Sequence, residues 1–258
     1  MIRGLYTSAL GMVGQMKRMD VVANNMANAS TTGFQRDVVI SQSFSDVMME
    51  RVRDYEMRGL NTANIAGPAS LGIITATVYT DNTTGAIQQS GNPLDVALVG
   101  TGFFEVLVSG DAEEPLTRFT RSGSLTLNQY GVLTDLMGNP ILSVEGAPIT
   151  IPTGIIAINE TGAITSNGEY IDTIRLLDFE DHTTLRAFGN SLFDITEDSV
   201  EVPFEGRLVQ SYLEMSNVNI VREMVEMIAL SRAYEANSRM IAIADQTLGQ
   251  AVNEIARR

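Results

Sequence analysis

Apolar residues recur at alternating steps of four and three at both ends of this chain, and at steps of about two in between. Near the front, Leu5, Ala9, Met12, Met16, Met19, Ala23 and Met26 fall on one helical seam. Near the end, Ile220, Met224, Met227, Ser231, Tyr234, Ser238, Ile241, Asp245, Leu248, Val252 and Ile255 repeat the same spacing. A helix with one apolar seam must bury it, because an isolated helix is marginal in water. The most economical partner for one end is the other, so the two ends are expected to pair as a coiled coil. The first helix should cover residues 2–26 and stop in a run containing Asn24, Asn25, Asn28, Thr31, Thr32 and Gly33. Asn and Gly tolerate left-handed backbone, and Thr hydroxyls compete with helical hydrogen bonds.

The middle reads as strands. Alternating β-branched and aromatic residues predict strands at 73–79, 94–99 and 103–108, then a series of short ones at 124–128, 132–135, 140–144, 155–159, 163–165, 173–178 and 192–195. Turns containing Gly123, Gly131, Gly138 and Gly146 separate the central segments. This spacing predicts an α+β protein: long N- and C-terminal helices pairing as a coiled coil, with an inserted antiparallel all-β domain of barrel or sandwich type. The expected domains are residues 1–36 with 213–258, a connector at 37–72, and a β-rich middle at 73–212. In the connector, Phe44, Val47, Met48 and Val52 are placed on a short helix, and 60–72 reads as flexible.

Charge narrows the partners. The formal net charge is −14. Arg3, Lys17, Arg18 and Arg36 outweigh Asp20 at the front, and the two signs nearly balance from Leu213 onward, so the acidic excess lies in the middle. Such a domain repels phosphate backbones and anionic lipid, and neither nucleic acid nor membrane insertion is expected. There is no cysteine, hence no disulfide or thiolate metal site. No run approaches the length of a membrane helix, and Arg3 is followed by Thr7, Ser8 and Gln15 rather than an apolar core, so no cleaved secretion signal is expected.

Reactive chemistry is sparse. The single histidine, His182, lies in a polar Asp181-His182-Thr183 context and is expected to be solvated; its count excludes a zinc site built on several imidazoles. Gly100-Thr101-Gly102 lacks the Lys and helix of a phosphate-binding loop, and Ser122-Gly123-Ser124 lacks the spacing of a nucleophile elbow. Glu223 and Glu226, beside Arg222, read as a solvated face. No catalytic, cofactor-binding or metal residue is predicted, and the chain is not expected to be an enzyme.

Four motifs carry a resemblance. They are Val22-Ala23-Asn24-Asn25-Met26-Ala27-Asn28 with Thr31-Thr32-Gly33-Phe34; Leu94-Asp95-Val96-Ala97 with Gly100-x-Gly102-Phe103-Phe104; Phe119-Thr120-Arg121-x-Gly123-Ser124 with Asn128-x-x-Gly131-x-Leu133; and Glu214-x-Ser216-Asn217-Val218 followed by Arg232-Ala233-Tyr234-Glu235-Ala236-Asn237-Ser238. In this order they resemble bacterial flagellar rod and hook proteins. The resemblance implies a subunit of the basal-body rod, exported uncleaved by the flagellar type III apparatus and polymerising with itself and with other rod and hook subunits. Chain length points to the distal-rod type or its sister with a middle domain, with the distal-rod type favoured. The alternative is a secreted coiled-coil and β scaffold, or an adhesin, unrelated to motility.

Under this reading the assembly interface comprises Leu5, Met12, Met16, Met19, Asn24, Asn25, Asn28 and Phe34 at the front. At the rear it comprises Asn217, Ile220, Met224, Met227, Ser231, Tyr234, Ser238, Ile241, Asp245 and Leu248. Ser231, Ser238 and Asp245 recur every seven residues and are expected to face polar groups of neighbouring subunits and set register.

Overall fold

The computed structural model describes residues 2–43, 47–51, 64–69, 73–108, 116–189 and 191–255. A helix stands at each end, α1 (Ile2–Ala27) and α2 (Ile220–Ile255), with a β-rich middle between them. The fold is therefore α+β. The chain divides into two compact units, residues 1–24 with 38–79 and 221–258, and residues 25–37 with 80–220.

The first unit holds most of both helices and two two-stranded ribbons. Arg18 Nη2 lies 3.5 Å from Glu226 Oε1, and a Cβ on Gly11 would sit 3.0 Å from Asn237 Nδ2. Advancing from 11 to 18 on α1 retreats from 237 to 226 on α2, so these contacts run antiparallel. On α2, Glu223, Met227, Leu230, Tyr234, Asn237, Ile241, Ala244, Leu248 and Ala251 are buried or half-buried at steps of four and three, with Glu226 and Ala233 half-buried beside that line. The connector is not helical where it is described. Arg36–Ser43 is a strand that pairs with Ile73–Asp81, and Val47–Arg51 pairs antiparallel with Asn64–Ala69. Val47 and Met48, expected on a helix, therefore lie in a strand; Phe44 and Val52 are outside the described residues. Val38, Val39 and Ile40 favour the strand at 36–43, since β-branched side chains lose rotamer freedom in a helix and fit a pleated surface, whereas at 47–51 it is the pairing with 64–69 that outweighs the weak helical pattern.

The second unit is built from several small antiparallel sheets. The largest has six strands in the order Arg186–Gly189, Leu192–Asp194, Leu116–Thr120, Phe103–Val108, Leu176–Phe179 and Glu201–Pro203. One of its faces carries Phe103, Phe119, Phe179 and Phe193, with Phe119 and Phe179 edge to face at 5.1 Å between ring centroids. The main core gathers Val96, Leu98, Phe104, Val106, Leu125, Leu133, Ile141, Ile149, Ile164 and Leu208.

Four of those core residues, Leu125, Leu133, Ile141 and Ile149, are eight apart in sequence and fully buried. Three of them close a ring of backbone hydrogen bonds: Leu133 N–H donates to Ile149 (2.8 Å), Ile149 N–H to Ile141 (3.3 Å), and Ile141 N–H to Leu133 (2.9 Å). The repeat follows from a repeated turn. Asn128, Asp135, Ser143 and Asn159 each head a four-residue turn that ends on a glycine, at 131, 138, 146 and 162, with φ of 77–89°. Each heading side chain accepts from the N–H two residues on, and Asn128, Asp135 and Asn159 accept a second N–H four residues on. The local chemistry thus sets the loop length, and the loop length returns an aliphatic side chain to the core every eight residues.

Leu133→Ala is expected to cost about 2–5 kcal/mol, as for other buried leucines. Leu136→Ala, in a turn where the side chain is 66% exposed, is expected to stay within about 0.5 kcal/mol. Urea unfolding of the two variants checks the difference; equal losses would show that the ring is not part of the cooperative core.

Candidate functional site

The chain enters and leaves the β unit at one neck. Incoming strands Ile87–Gln89 and Val96–Val99 pair antiparallel with outgoing strands Tyr212–Glu214 and Arg207–Gln210. All four motifs singled out in the sequence come together here, through Gly33, Gly100, Arg121 and Glu214.

Their centre is a buried ion pair. Arg121 Nε lies 2.8 Å from Glu214 Oε2, with side-chain exposures of 0% and 3%. Arg121 Nη2 donates to Thr84 Oγ1 at 3.3 Å and to the Gly100 carbonyl. Glu214 Oε1 accepts the Gly85 N–H at 2.8 Å, and the Glu214 carbonyl accepts the Gly33 N–H at 2.9 Å. Gln35, also buried, completes the cluster when its side-chain amide is turned so that the nitrogen donates to Asp81 O (3.2 Å) and Asn82 Oδ1 (2.7 Å) and the oxygen accepts from Arg121 Nε (3.0 Å).

Backbone is packed close enough that side chains would not fit. Gly33 has φ of 66°, and a Cβ there would lie 2.5 Å from Ser122 N. A Cβ on Gly85 would lie 1.8 Å from the Met215 carbonyl oxygen. Both glycines allow one segment to lie directly on another.

Two asparagines fasten the segments leading to the helices. Asn25, fully buried in the last turns of α1, takes the N–H of Asp37 on Oδ1 (2.9 Å) and donates Nδ2 to the Asp37 carbonyl (2.8 Å). Its side chain serves as a one-residue β partner. Asn217, just before α2, accepts the Arg36 N–H at 2.8 Å and donates to Asp81 O at 2.7 Å and Thr83 O at 3.0 Å. Beside them the Asp37 carboxylate accepts from Thr80 Oγ1 at 2.9 Å. Burial pushes the Asp37 carboxyl above its ordinary value, and the Thr80 hydrogen bond only partly offsets this.

The remaining interface residues divide by exposure. Leu5, Met12, Met19, Asn28, Phe34, Met227, Tyr234, Ile241 and Leu248 are half-buried, whereas Met16, Asn24, Ile220, Met224, Ser231, Ser238 and Asp245 are exposed. Around the exposed ones lie Tyr6 and Val13 on α1, and Val221, Val225 and Ile228 on α2. His182 differs from the solvated residue expected. Its Nε2 pairs with Asp178 Oδ1 at 2.8 Å, and its ring sits 6.0 Å from that of Phe103. Burial acts to raise the Asp178 carboxyl, but hydrogen bonds from Thr101, His182 and the Phe179 N–H hold it below its ordinary value.

Residues 5–35 match the family described as Flagella basal body rod protein, 97–166 the Flagellar hook protein FlgE/F/G D1 domain, and 209–254 the Flagellar basal body rod FlgEFG protein C-terminal. The flagellar basal-body rod protein FlgG of Agrobacterium fabrum is 34% identical over 95% of this chain and 96% of its own length. FlgG of Bacillus subtilis is 30% identical over 98% and 99%, and the rod protein FlgF of Caulobacter vibrioides 30% over 93% of each. The chain belongs to the flagellar basal-body rod protein family, whose members are structural rod subunits rather than a class of enzymes. Its place is the flagellar basal body.

Removing one member of the buried pair leaves the other uncompensated, so Arg121→Met is expected to cost about 3–5 kcal/mol. The double variant Arg121→Met/Glu214→Leu should recover a large part of that loss; a urea double-mutant cycle with no coupling would contradict the role given to the pair.

Asp37 sets a pH dependence. Because its folded value is raised, its stabilising contribution is present below the unfolded value of about 3.8 and is lost as pH rises through the folded value. Asp37→Asn keeps an acceptor for Thr80 and removes that loss. The variant should therefore gain on the wild type between pH 3 and pH 7, read from melting temperatures at each pH.

Proposed function

We propose that this chain is a rod subunit that polymerises, with copies of itself and with other rod and hook subunits, through α1 and α2. In this reading the two helices pair as an antiparallel coiled coil along Met227, Tyr234, Ile241 and Leu248, and the opposite faces receive neighbouring subunits. The chain reaches its place through the flagellar type III export apparatus, and the assembled shaft passes torque to the hook.

The observation that carries this reading is the run of exposed apolar side chains on α2. Val221, Met224, Val225 and Ile228 are 48–71% exposed and recur at helical spacing, and Tyr6, Val13 and Met16 on α1 are 51–62% exposed. Grouped apolar exposure of this kind marks a surface made to be covered. The polar Ser231, Ser238 and Asp245 share the outward side of α2, where they specify register better than they add affinity.

Within the β unit, the hydrogen bonds from Gly33 to Glu214 and from Arg36 to Asn217 tie the segment that follows α1 to the segment that precedes α2.

Loss of the chain is expected to halt flagellar assembly before the hook; hooks of normal number in a deletion strain would overturn the proposal. Replacing Ser231, Ser238 and Asp245 together by Leu should abolish swimming while leaving the melting temperature of the isolated subunit within a few degrees. Unchanged motility would remove these three residues from the interface.

A further inference from the structure

The chain holds 13 methionines, no cysteine and no tryptophan, so thioether sulfur is its principal oxidisable group. The helices sort these sulfurs by exposure. Met12, Met19, Met26 and Met227 are half-buried, whereas Met16, Met224 and Met240 are 51%, 48% and 58% exposed. Each exposed one sits three or four residues from an exposed aliphatic side chain on the same face: Met16 by Val13, Met224 by Val221 and Ile228, and Met240 by Ile243.

We propose that Met16, Met224 and Met240 form an oxidation-sensitive site at which peroxide blocks polymerisation of free subunits while leaving the subunit folded. The inference rests on the assembly reading above. In the reaction a sulfur lone pair attacks one peroxide oxygen and the O–O bond breaks. The thioether becomes a sulfoxide, and the second oxygen leaves as water. A flexible apolar side chain is replaced by a polar one that must be desolvated when a second copy covers it. The half-buried sulfurs react more slowly, so the inward seam is spared. A thiol-dependent sulfoxide reductase reverses the change by two-electron reduction, with water and a disulfide as products.

Met137, 65% exposed in a turn of the β unit, provides an internal reference. It should oxidise as fast as the helix sulfurs with no effect on assembly.

The experiment treats purified full-length chain with limiting hydrogen peroxide, maps sulfoxides by peptide mass spectrometry, and measures polymer yield by sedimentation. Met16, Met224, Met240 and Met137 should oxidise before Met12, Met19 and Met227. Far-ultraviolet circular dichroism should be unchanged, and polymer yield should fall several-fold, with recovery after reductase and dithiothreitol. Within the variant Met16→Leu/Met224→Leu/Met240→Leu, the yield after peroxide should equal the yield before it, whatever that yield is. Met137→Leu should remain as sensitive as the wild type. Undiminished polymerisation of wild type oxidised at the three helix positions overturns the inference. So does equal peroxide sensitivity of the triple variant, or failure of the reductase to restore the wild type. Untreated wild type that does not polymerise under any condition would instead count against the assembly reading.

Discussion

The buried pair of Arg121 and Glu214 is the constraint on which the rest of the architecture depends. Neither group can be left alone in a site with 0–3% side-chain exposure, so each must find its partners at once. Satisfying them fixes the position of four stretches of chain: the one after α1 through Gly33 and Gln35, the incoming one through Thr84 and Gly85, the loop at Gly100, and the outgoing one that carries Glu214. A buried pair of this kind adds little net stability relative to a well-packed apolar replacement.

Around that pair the protein uses side chains where a larger domain would use sheet. Asn25 and Asn217 each bond to backbone on another segment, substituting for strand partners where the connecting segments are too short to build a ladder.

The helices show a division of labour. On α2 most of the buried and half-buried positions from Glu223 to Ala251 follow one heptad line, and Val221, Met224, Val225 and Ile228 lie outside it. The apolar pattern read from sequence merges the two lines. Met227, Tyr234, Ile241 and Leu248 belong to the inward line, while the alternate positions Met224, Ser231, Ser238 and Asp245 stand one residue away from it and are exposed. A helix with two apolar stripes offers several near-equivalent seams, and only the packed partner selects among them. Gly11 and Asn237 show how the selection is made, through a close approach that no periodicity announces.

What the amino-acid sequence determined was whatever depends on near neighbours. The end of the first helix was legible in the Asn and Gly run after residue 24, and several short strands in their alternation and glycine turns, but not those at 87–89, 116–120, 207–210 and 212–214. The eight-residue return of Leu125, Leu133, Ile141 and Ile149 was also present in the letters, together with its Asn, Asp or Ser turn heads, although an alternating pattern alone does not reveal the closed ring. Tertiary structure decided the rest. Arg121 and Glu214 are 93 residues apart, and Asn217 and Arg36 are 181 apart. The strand at 47–51 formed where a helix was expected, because its antiparallel partner at 64–69 outweighs a weak local pattern. Local propensity acts over a few residues, whereas burial of a charge or an amide is settled only by the groups that surround it after the chain has closed.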